Sequence, residues 1–445
     1  MKFLFDLDGT VTSLETLPII SKYFNCAEQI ADLTAQTIQG NVPFVESFIR
    51  RVNILGEFSV EETCNLLSQV PLYPIIAKFI EDHKEDCIIV TGNLTCWCEG
   101  LFKKIGCKCY GSEAEVIDDK VFKIKTILRK EQIVDQYRAL GETVVFIGDG
   151  NNDLEAMRHA NISIAVGLTH NPAQSLLSIC DYVIFNEKAL NRQLRQLCGE
   201  YFEEKSVIIS CAGIGSRLGL GLTKALVQIN NNSLISWQLK LFKKVEDVRI
   251  VIGFQGNEII NEVRKFRNDV IFCFNHRYFE TKTGASFYLG ARHGNPEAIA
   301  WDGDLLVHPD DVKNLLHTSG EYICYSDKTS EDIVFVQTNE KGEVLNFSRE
   351  SGDFEWTGPA CMLKKNLVYC SQNVFNMFES LCPMRGIKVR AYDIDTYNDY
   401  LRVSEVTKDW ILYFRNLIFT LTYKKQLTRL KNENNRIRRV KTNST

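Results

Sequence analysis

Short apolar runs that stop at a glycine, asparagine or aspartate recur along the first half of the chain, and they constrain its fold most strongly. They lie at residues 2–5, 87–91, 143–147, 162–166 and 182–185. Strands that are buried on both faces of a parallel sheet have this continuous apolar pattern. Helix-like stretches separate the runs, and such alternation is typical of α/β proteins. The sequence therefore predicts an α/β first half built on a parallel sheet.

A second series of apolar runs begins at residue 206 and continues at 249–253, 270–274 and 304–307. A chain of 445 residues has room for two or three domains, so this restart indicates a second α/β domain. A helix-rich stretch after the first strand is too long for a simple crossover, and we interpret it as an inserted helical cap. The predicted organisation is a first domain over 1–190 with its cap at about 13–75, a linker over 191–205, a second domain over 206–423 and a disordered basic tail over 424–445.

Charge and hydropathy exclude several classes of protein. The net charge is −4 at pH 7, whereas a general nucleic-acid binder is usually basic. The chain has no apolar run of the roughly 18 residues that a transmembrane helix needs. Its opening residues, MKFLFDLDGT, also lack the pattern of a signal peptide. We therefore expect the fifteen cysteines to be reduced thiols in a cytoplasmic protein.

Four of these cysteines form two C-x-C pairs, Cys96 with Cys98 and Cys107 with Cys109. Thiolates at this spacing can hold zinc, although structural zinc sites more often use C-x-x-C pairs. We favour thiols that pack as small apolar side chains, and a zinc site is the alternative.

Two carboxylates, Asp6 and Asp8, follow the first predicted strand directly. At the end of one strand they can face the same ion or phosphate group, and Gly9 permits the chain to turn there. Thr91 is predicted to end the next strand, and Lys130 to begin a helix. The segment GDGNND, residues 148–153, follows a third strand. Phosphoryl transfer needs a nucleophile, charge neutralisation and a metal, and these motifs can supply all three.

Each motif has a candidate role in that chemistry. Asp6 can form an aspartyl-phosphate, and Asp8 can protonate the leaving oxygen and then activate water. Thr91 and Lys130 can hold phosphate oxygens. Hard carboxylate oxygens suit Mg²⁺. The candidate metal ligands are Asp6, Asp8, Asp149 and Asp153, and the further candidates for substrate contact are Gly92 and Asn152.

These four motifs, in this order, resemble the haloacid dehalogenase superfamily over about residues 1–190. The resemblance implies a Rossmann-like core and Mg²⁺-dependent hydrolysis of phosphomonoesters. An insertion just after the first motif is similar to the phosphoserine phosphatase subgroup. The chain departs from that subgroup where Asp8-Gly9 replaces the usual Asp-Ser and Thr91-Gly92-Asn93 replaces Ser-Gly-Gly. Both departures are compatible with the same chemistry, but they leave the identity of the substrate undetermined.

Phosphoserine phosphatases carry a glutamate and an arginine at places that match Glu15 and Arg51. There the pair grips the amino and carboxylate groups of the substrate. The resemblance therefore implies a small zwitterionic or carboxylated phosphomonoester as substrate. The alternative is that both are surface residues of the cap.

A glycine-rich turn follows the first strand of the second domain and precedes Lys224. Glycines let the backbone approach a triphosphate, whose charge the N–H groups can bind. Arg217 interrupts the spacing of a dinucleotide-binding fingerprint, whereas Gly-x-Gly-x-Arg-Leu-Gly followed by lysine is characteristic of nucleotidyltransferases. Arg217 and Lys224 can balance charge that develops at the α-phosphate. The candidate nucleotide contacts in the turn are Gly213, Gly215 and Ser216.

Two acidic segments complete this second predicted site. The segment 301–305 is interpreted as a strand that delivers Asp304 to a metal, and Asp395 offers a second carboxylate. Their neighbours Asp302 and Asp393 are weaker candidates. Two distant acids with Mg²⁺ would neutralise the α-phosphate while a phosphomonoester oxygen attacks and pyrophosphate leaves, a reaction that depends mainly on positioning.

The second domain resembles the sugar-phosphate and choline-phosphate nucleotidyltransferases, and the stretch 274–289 is similar to that of bacterial phosphocholine cytidylyltransferases. The resemblance implies a Rossmann-like domain with a mixed sheet, CTP as donor, and metal ligands at Asp304 and Asp395. It also implies an acceptor pocket that includes Glu355 and Trp356. Thr223 departs from the proline that usually precedes the lysine.

The sequence thus predicts a bifunctional α/β enzyme of two Rossmann-like domains. One half would hydrolyse a phosphomonoester, and the other would transfer a nucleotidyl group to a different one, such as phosphocholine or a phosphopolyol used in surface-polysaccharide decoration. One alternative is transfer to a sugar 1-phosphate. Another is a nucleotide-sensing module without turnover.

Overall fold

The computed structural model describes residues 1–38, 42–214, 221–329, 333–411 and 413–414. Three residues predicted to contact the nucleotide, Gly215, Ser216 and Arg217, lie outside the described residues, and so does the basic tail over 424–445. No helix among the described residues combines the length and apolar character needed to cross a bilayer.

Helices α1–α15 are, in chain order, Thr16–Tyr23, Ala27–Ile38, Phe44–Leu55, Val60–Ser68, Pro74–Asp82, Thr95–Ile105, Lys130–Ala139, Leu154–His159, Gln174–Leu177, Glu187–Leu197, Leu234–Leu241, Gly256–Arg264, Thr283–Ala291, Pro309–His317 and Val374–Phe378. Strands β1–β20 are Lys2–Phe5, Cys87–Leu94, Lys108–Ile117, Lys120–Thr126, Val144–Gly148, Ile162–Val166, Tyr182–Ile184, Lys205–Cys211, Gln228–Ile229, Asn232–Ser233, Val248–Ile252, Ile271–Phe274, Glu297–Asp302, Leu305–Val307, Tyr322–Ser326, Phe335–Thr338, Glu343–Ser348, Phe354–Leu363, Met384–Lys388 and Ala391–Asp393. Residues 397–411 are also helical.

The chain divides into two compact units that do not follow its two halves. The first unit consists of Met1–Gly213, Lys244–Trp301 and Ala360–Leu381. The second unit consists of the described parts of Ile214–Lys243, Asp302–Pro359 and the chain from Cys382 onward.

The five apolar runs of the first half form β1, β2, β5, β6 and β7, all parallel, in the order β7–β6–β5–β1–β2. Their residues are almost all buried, because helices cover both faces of such a sheet. The predicted parallel sheet is therefore confirmed. Strand β3 extends it in parallel, and β4 returns antiparallel to β3. This hairpin has no counterpart among the apolar runs of the sequence.

Helices α1–α5 lie between β1 and β2 in the sequence, over the interval where a cap is expected. Local signals position two of them. Ser59 caps α4 by accepting the N–H of Glu62 at 3.0 Å, and Pro74 begins α5, where its missing N–H costs no hydrogen bond. In the segment predicted as a linker, 191–205, α10 continues to Leu197 and β8 begins at Lys205.

The sheet continues from the first half of the chain into the second within one unit. Strands β8, β11 and β12 pair in parallel, and β12 pairs antiparallel with β7, where Phe272 lies opposite Val183. Strand β13 pairs antiparallel with the last residues of β18. The sheet of the second half is therefore mixed, as predicted.

A buried network of charged and polar side chains ties α10 to β11. Asp247 and Arg249 are both fully buried and pair at 3.1 Å. Arg249 also donates to Gln196 Oε1 at 2.5 Å and to the carbonyl oxygen of His293 at 3.1 Å. Gln196 Nε2 in turn donates to Asp247 Oδ2 at 2.8 Å. Because a buried charge is costly unless it is paired, each member of this network depends on the others.

The second unit has its own strands and core. Strands β15, β19, β17 and β16 follow one another in a sheet that continues to the first residues of β18, and β14 pairs with β20 as a separate ribbon. An apolar cluster packs α11 against this ribbon and the helical residues near the end of the described chain. Its buried members are Val227, Ile229, Leu234, Trp237, Leu306, Ile394, Val403 and Trp410.

Two details of the sequence prediction are wrong. Strand β2 continues to Leu94, so Thr91 lies inside the strand rather than at its end, beside an irregularity in the pairing with β3. The segment 301–305 is not one strand, because β13 ends at Asp302 and β14 begins at Leu305. Gly303 and Asp304 form the turn between them, and both residue types favour turns over strands.

We predict that Arg249→Met lowers the apparent free energy of unfolding by about 3 kcal/mol, the lower end of the range for breaking a buried ion pair. We expect the smallest loss in that range because Arg192, which lies 3.2 Å from Asp247, still pairs with it in the variant. Urea denaturation measures the effect. The matched control is Arg158→Met, whose exposed pair with Glu155 should contribute less than about 1 kcal/mol. Equal losses in both variants would contradict the role of the network.

Candidate active sites

A first group of polar side chains converges at the end of β1. Asp6 follows that strand and is 5% exposed, and Lys130, the first residue of α7, is 3% exposed. Lys130 Nζ donates to a carboxylate oxygen of Asp6 and, at 2.6 Å, to Asp153 Oδ1. Asp153 Oδ2 accepts the backbone N–H groups of Asp149 and Gly150, each at 3.0 Å. One ammonium group thus lies between two carboxylates that are themselves held in place.

Burial and charge act in opposite directions on this group. Burial raises the pKa of Asp6 well above its usual value, and the positive charge of Lys130 offsets part of that rise. Burial alone would lower the pKa of Lys130, but Asp153 and Asp6 outweigh it and hold that pKa above its ordinary value. The lysine therefore stays charged beside the predicted nucleophile.

Asp8 accepts hydrogen bonds from two other elements. Its Oδ1 accepts the N–H of Thr16 at 2.8 Å, and its Oδ2 accepts from Asn93 Nδ2 at 2.6 Å. Burial and then the negative charge of Glu15 raise the pKa of Asp8 to about 6, although the bonds from Thr16 and Asn93 act the other way. A carboxyl group with this pKa can both donate and accept a proton near neutral pH, as general acid–base catalysis requires.

A histidine joins the group from the loop after β6. His170 Nε2 is 2.9 Å from Asp149 Oδ2 and 3.3 Å from Glu15 Oε1. Hydrogen bonds with Asp149 first, and then with Glu15, raise the pKa of His170 to about 11. Burial raises the pKa of Asp149, and the bond from His170 opposes that rise. His170 therefore carries a positive charge between two carboxylates.

Gly9 shapes this part of the site. Its φ is +68°, in the left-handed region that favours glycine. A Cβ atom at this position would lie 2.5 Å from Asp149 Oδ2 and 3.1 Å from Glu15 Oε1. Glycine is therefore required here both by the backbone conformation and by the close approach of the two carboxylates.

Three buried carboxylates can share one cation. Ligand atoms of Asp6, Asp149 and Asp153 all lie within 4.8 Å of one another. Because Mg²⁺ prefers hard oxygen ligands, this donor set fits the metal predicted from the sequence. The carboxylate of Asp8 does not belong to the group; its oxygens accept from Thr16 and Asn93 instead.

The remaining predicted residues of this site lie on β2, in the turn after β5 and on α3. Thr91 is buried, and its Oγ1 accepts the N–H of Asn93 at 3.2 Å. The carbonyl oxygen of Gly92 accepts from Ser112, and Asn152 lies in the turn that follows Gly148 and Asp149. Arg51 is buried, its Nε donates to the carbonyl oxygen of Ser47 at 3.3 Å, and burial lowers its pKa. Substrate contact by these residues stays a prediction.

Two residues of this site were not identified from the sequence, Asn93 and His170. Their positions in the sequence could have identified them, because ligands of parallel α/β sheets bind beyond the carboxyl ends of the strands. His170 lies in the loop that follows β6, and Asn93 lies in the last part of β2. In sequence, His170 belongs to the segment His-Asn-Pro, whose residue types are typical of an ordinary turn.

A second group of polar side chains lies in the second unit. Lys224 Nζ is 2.7 Å from Asp304 Oδ2 and also donates to Asp395 Oδ1. The antiparallel pairing of β14 with β20 places Leu305 opposite Asp393 and so brings the two acidic segments together. Burial alone would lower the pKa of Lys224, but the two carboxylates outweigh it and raise that pKa. The predicted lysine and the two predicted metal ligands are therefore neighbours.

Two more carboxylates, both partly exposed, lie beside this group. Burial, and then the charge of Asp304, raise the pKa of Asp302 to about 7. Burial, then Asp304 and Asp302, raise the pKa of Asp393 well above its usual value. Gly358 has a φ of +99°, and a Cβ there would lie 2.5 Å from Asp302 Oδ2. Asp302 and Asp393, the weaker candidates from the sequence, thus share the environment of Asp304.

The residues expected to bind the acceptor and the nucleotide lie as follows. Glu355 is buried, and its Oε2 accepts the N–H of Thr329 at 2.7 Å. The ring of Trp356 meets the ring of Phe347 edge to face at 5.5 Å. Gly213 is exposed and belongs to the first unit. Their contacts with substrate stay predictions.

None of the fifteen cysteines forms a disulfide. Within the described ranges, no group of three or more potential metal ligands contains a cysteine. This favours packed thiols over zinc ligands for Cys96, Cys98, Cys107 and Cys109. Cys98 is fully buried, and burial raises the pKa of its thiol well above the usual value, so it stays neutral.

Two family models match separate parts of the chain. Residues 3–161 match the model described as a haloacid dehalogenase-like hydrolase, and residues 207–359 match the model described as a MobA-like NTP transferase domain. The first match contains Asp6, Lys130 and Asp149. The second contains Lys224 and Asp304, and Asp395 lies beyond it.

Known proteins resemble each half. The phosphoserine phosphatase of Saccharomyces cerevisiae is 27% identical over 183 residues, 37% of this chain and 58% of that protein. The phosphoserine phosphatase of Archaeoglobus fulgidus is 25% identical over 197 residues, 41% of this chain and 56% of that protein. The chain thus spans a little over half the length of these curated relatives. A solved CTP:phosphocholine cytidylyltransferase from Streptococcus pneumoniae superposes with a TM-score of 0.38 at 20% identity, over 46% of this chain and 99% of that one.

We predict that Gly9→Ala lowers the hydrolysis of an aryl phosphate at least about tenfold, because the new Cβ would displace Asp149 and Glu15. Gly141→Ala is the matched control, since Gly141 also has a positive φ, +80°, but has open space around it. The control should lose about 1 kcal/mol of stability and keep its activity within about twofold. Equal activity losses in the two variants would trace the effect to backbone strain rather than to the site.

Proposed function

We propose that this chain, which joins a phosphoserine phosphatase-like haloacid dehalogenase hydrolase domain to a MobA-like NTP transferase domain, is a bifunctional enzyme. The first domain hydrolyses a phosphomonoester through an aspartyl-phosphate. The second transfers a nucleotidyl group from an NTP to a different phosphomonoester. The observation that carries the proposal is that each domain places a lysine, Lys130 or Lys224, between two aspartates.

Hydrolysis begins with nucleophilic attack. An oxygen of Asp6 attacks phosphorus, and the bond from phosphorus to the ester oxygen breaks. Asp8 gives that oxygen a proton, so the alcohol leaves as a neutral molecule. A pKa of about 6, which burial produces, suits Asp8 to this role. Lys130 balances charge on the phosphoryl oxygens, and the hydroxyl of Thr91 donates a hydrogen bond to one of them.

Hydrolysis ends with water. Asp8, now a carboxylate, takes a proton from a water molecule whose oxygen attacks the phosphorus of the aspartyl-phosphate. The bond to Asp6 breaks, and phosphate is released. The hydrogen bonds of Thr16 and Asn93 to Asp8 support this step, because they hold its carboxyl group in one orientation.

Asp6, Asp149 and Asp153 would hold Mg²⁺ in the first domain. The bound ion supplies the positive charge that lets a phosphate dianion approach a carboxylate nucleophile. Lys130 offers a single positive charge to two carboxylates, so a divalent cation would stabilise the form in which Asp6 and Asp153 are both ionised.

In the second domain a phosphate oxygen of the acceptor attacks the α-phosphorus of the NTP, and pyrophosphate leaves. Lys224 and Arg217 balance the charge that develops there. Asp304 and Asp395 are the proposed ligands of Mg²⁺. Their shared hydrogen bonds with Lys224 support this assignment, since the three groups already occupy one place. A sensing module without turnover has no need of this arrangement.

CTP is the proposed donor, and a small phosphomonoester with a cationic headgroup, such as phosphocholine, is the proposed acceptor. The donor rests on the sequence resemblance described above. The acceptor has further support, since the carboxylate of Glu355 is buried and Glu355 directly precedes Trp356. Carboxylates and an aromatic ring are the groups that attract a quaternary ammonium ion.

For the first domain the proposed substrate is a small phosphomonoester that carries a carboxylate. Arg51 is the proposed partner of that carboxylate. Its buried guanidinium supports this role, because a buried cation gains more from a carboxylate partner than an exposed one does. Because the two domains act on different phosphomonoesters, hydrolysis would not consume the acceptor of the second reaction.

Asp6→Asn and Asp304→Asn should separate the two activities. We predict that Asp6→Asn lowers hydrolysis of p-nitrophenyl phosphate at least about a thousandfold, because it removes the nucleophile, and leaves pyrophosphate release from CTP and phosphocholine within about twofold. Asp304→Asn should do the reverse, with at least about a hundredfold loss of pyrophosphate release. Chelation of Mg²⁺ should silence both reactions.

The control for both variants is Asp135→Asn, which changes an exposed aspartate paired with His159. It should leave both rates unchanged. If either active-site variant loses both activities while its fold is intact by circular dichroism, the two sites are not independent and the proposal is wrong.

A further inference from the structure

One histidine beside the phosphatase site has no part in the proposed chemistry. His170 is 48% exposed, and its Nε2 lies 2.9 Å from Asp149 Oδ2 and 3.3 Å from Glu15 Oε1. One ligand atom from each of these three residues lies within 4.8 Å of the other two. Two carboxylates and an imidazole nitrogen therefore converge at one place, on three different segments of the chain.

The hydrogen bond on the far side of the imidazole sets which nitrogen faces the carboxylates. His170 Nδ1 is 2.9 Å from the carbonyl oxygen of Asn171. A carbonyl oxygen only accepts, so Nδ1 carries a proton and donates it. Nε2 is the atom that faces Asp149 and Glu15. In the metal-free protein Nε2 shares a proton with these carboxylates, and an ion bound there would replace that proton and take up the lone pair of the neutral imidazole. Histidines that bind metals are oriented in this way, by donating their other N–H to a backbone carbonyl or a carboxylate.

The donor set indicates the class of cation. Mg²⁺ and Ca²⁺ are bound by oxygen atoms, whereas an imidazole with carboxylates suits Mn²⁺, Fe²⁺ or Zn²⁺. Asp149 also belongs to the all-oxygen group with Asp6 and Asp153. The two groups share that one carboxylate, and a carboxylate has two oxygens with which to bind two ions.

Gly9 keeps this second group open. A side chain at position 9 would meet both Asp149 Oδ2, at 2.5 Å, and Glu15 Oε1, at 3.1 Å. These are the same oxygens that face His170 Nε2. The presence of glycine, where the related subgroup usually has serine, therefore makes room for the approach of Glu15 and Asp149 to one point.

We infer that Glu15, Asp149 and His170 form a second divalent-cation site, selective for a metal that accepts imidazole, which shares Asp149 with the Mg²⁺ site of the proposed phosphatase. An ion there would add positive charge beside the phosphoryl group. Glu15 would then use Oε1 as a metal ligand. The inference shares Asp149 with the proposed function, but metal binding tests it without any turnover.

Pulsed electron paramagnetic resonance of the full-length protein tests the site. The protein is given less than one equivalent of Mn²⁺ in the presence of excess Mg²⁺, which competes for the all-oxygen sites. We expect hyperfine coupling between Mn²⁺ and an imidazole nitrogen in the unaltered protein. The coupling should be absent in His170→Ala. In Glu15→Gln, a titration with Mn²⁺ should show affinity weakened at least about tenfold. The coupling should still be seen in this variant once the titration reaches saturation.

The matched control is His159→Ala. His159 also pairs with an aspartate, Asp135, at 2.9 Å, and is 40% exposed. The nitrogen coupling and the Mn²⁺ affinity should both survive in this variant. If Mn²⁺ binds the unaltered protein without nitrogen coupling, His170 only forms an ion pair. If the coupling persists in His170→Ala, the coupled nitrogen belongs to another histidine. Either result overturns the inference. Loss of phosphatase activity alone bears on the proposed function and not on this site.

Discussion

A lysine ammonium held between two aspartates is the interaction on which each candidate site depends. Lys130 lies between Asp6 and Asp153, and Lys224 lies between Asp304 and Asp395. In the first site the carboxylates are out of water, where charge acts strongly and where a lone carboxylate would take up a proton instead. Each lysine offsets part of that cost, yet it leaves the group with net negative charge. The proposed divalent cations would add the positive charge that each group still lacks.

The two sites reach this arrangement by different routes. In the first, parallel strands β1, β2 and β5 end at the same edge of a buried sheet, so residues far apart in sequence meet there. In the second, the antiparallel ribbon of β14 and β20 brings Asp304 and Asp395 together. The antiparallel pairing of β12 with β7 makes the sheet of the first half continuous with strands of the second half. The buried pair of Asp247 and Arg249 lies within that same unit.

The parallel sheet and most residues of the two sites could be predicted from the sequence, because they depend on local residue pattern and on the order of the strands. The runs that became β1, β6 and β12 are continuous and apolar, and the motif residues Asp6, Lys130 and Asp149 follow from their places beside strands and helices. What could not be predicted depends on packing between distant segments. His170 acquires its surroundings only when the loop after β6 meets Glu15, and the turn at Asp304 depends on where β13 ends. The hairpin of β3 and β4 was not predicted because it lacks the continuous apolar run of the buried strands: most of its residues are exposed or half-buried.

The most direct test is pyrophosphate release by the Asp6→Asn protein, given each of four NTPs with a panel of phosphomonoesters that includes phosphocholine and a sugar 1-phosphate. The substitution prevents the first domain from consuming the acceptor. The same panel is then run on a protein that also carries Lys224→Met. We predict release with CTP and a small cationic phosphomonoester, and at least about a hundredfold loss in the double variant. Release that is unchanged by Lys224→Met, or no release with any pair, would contradict the role given to the lysine and its two aspartates.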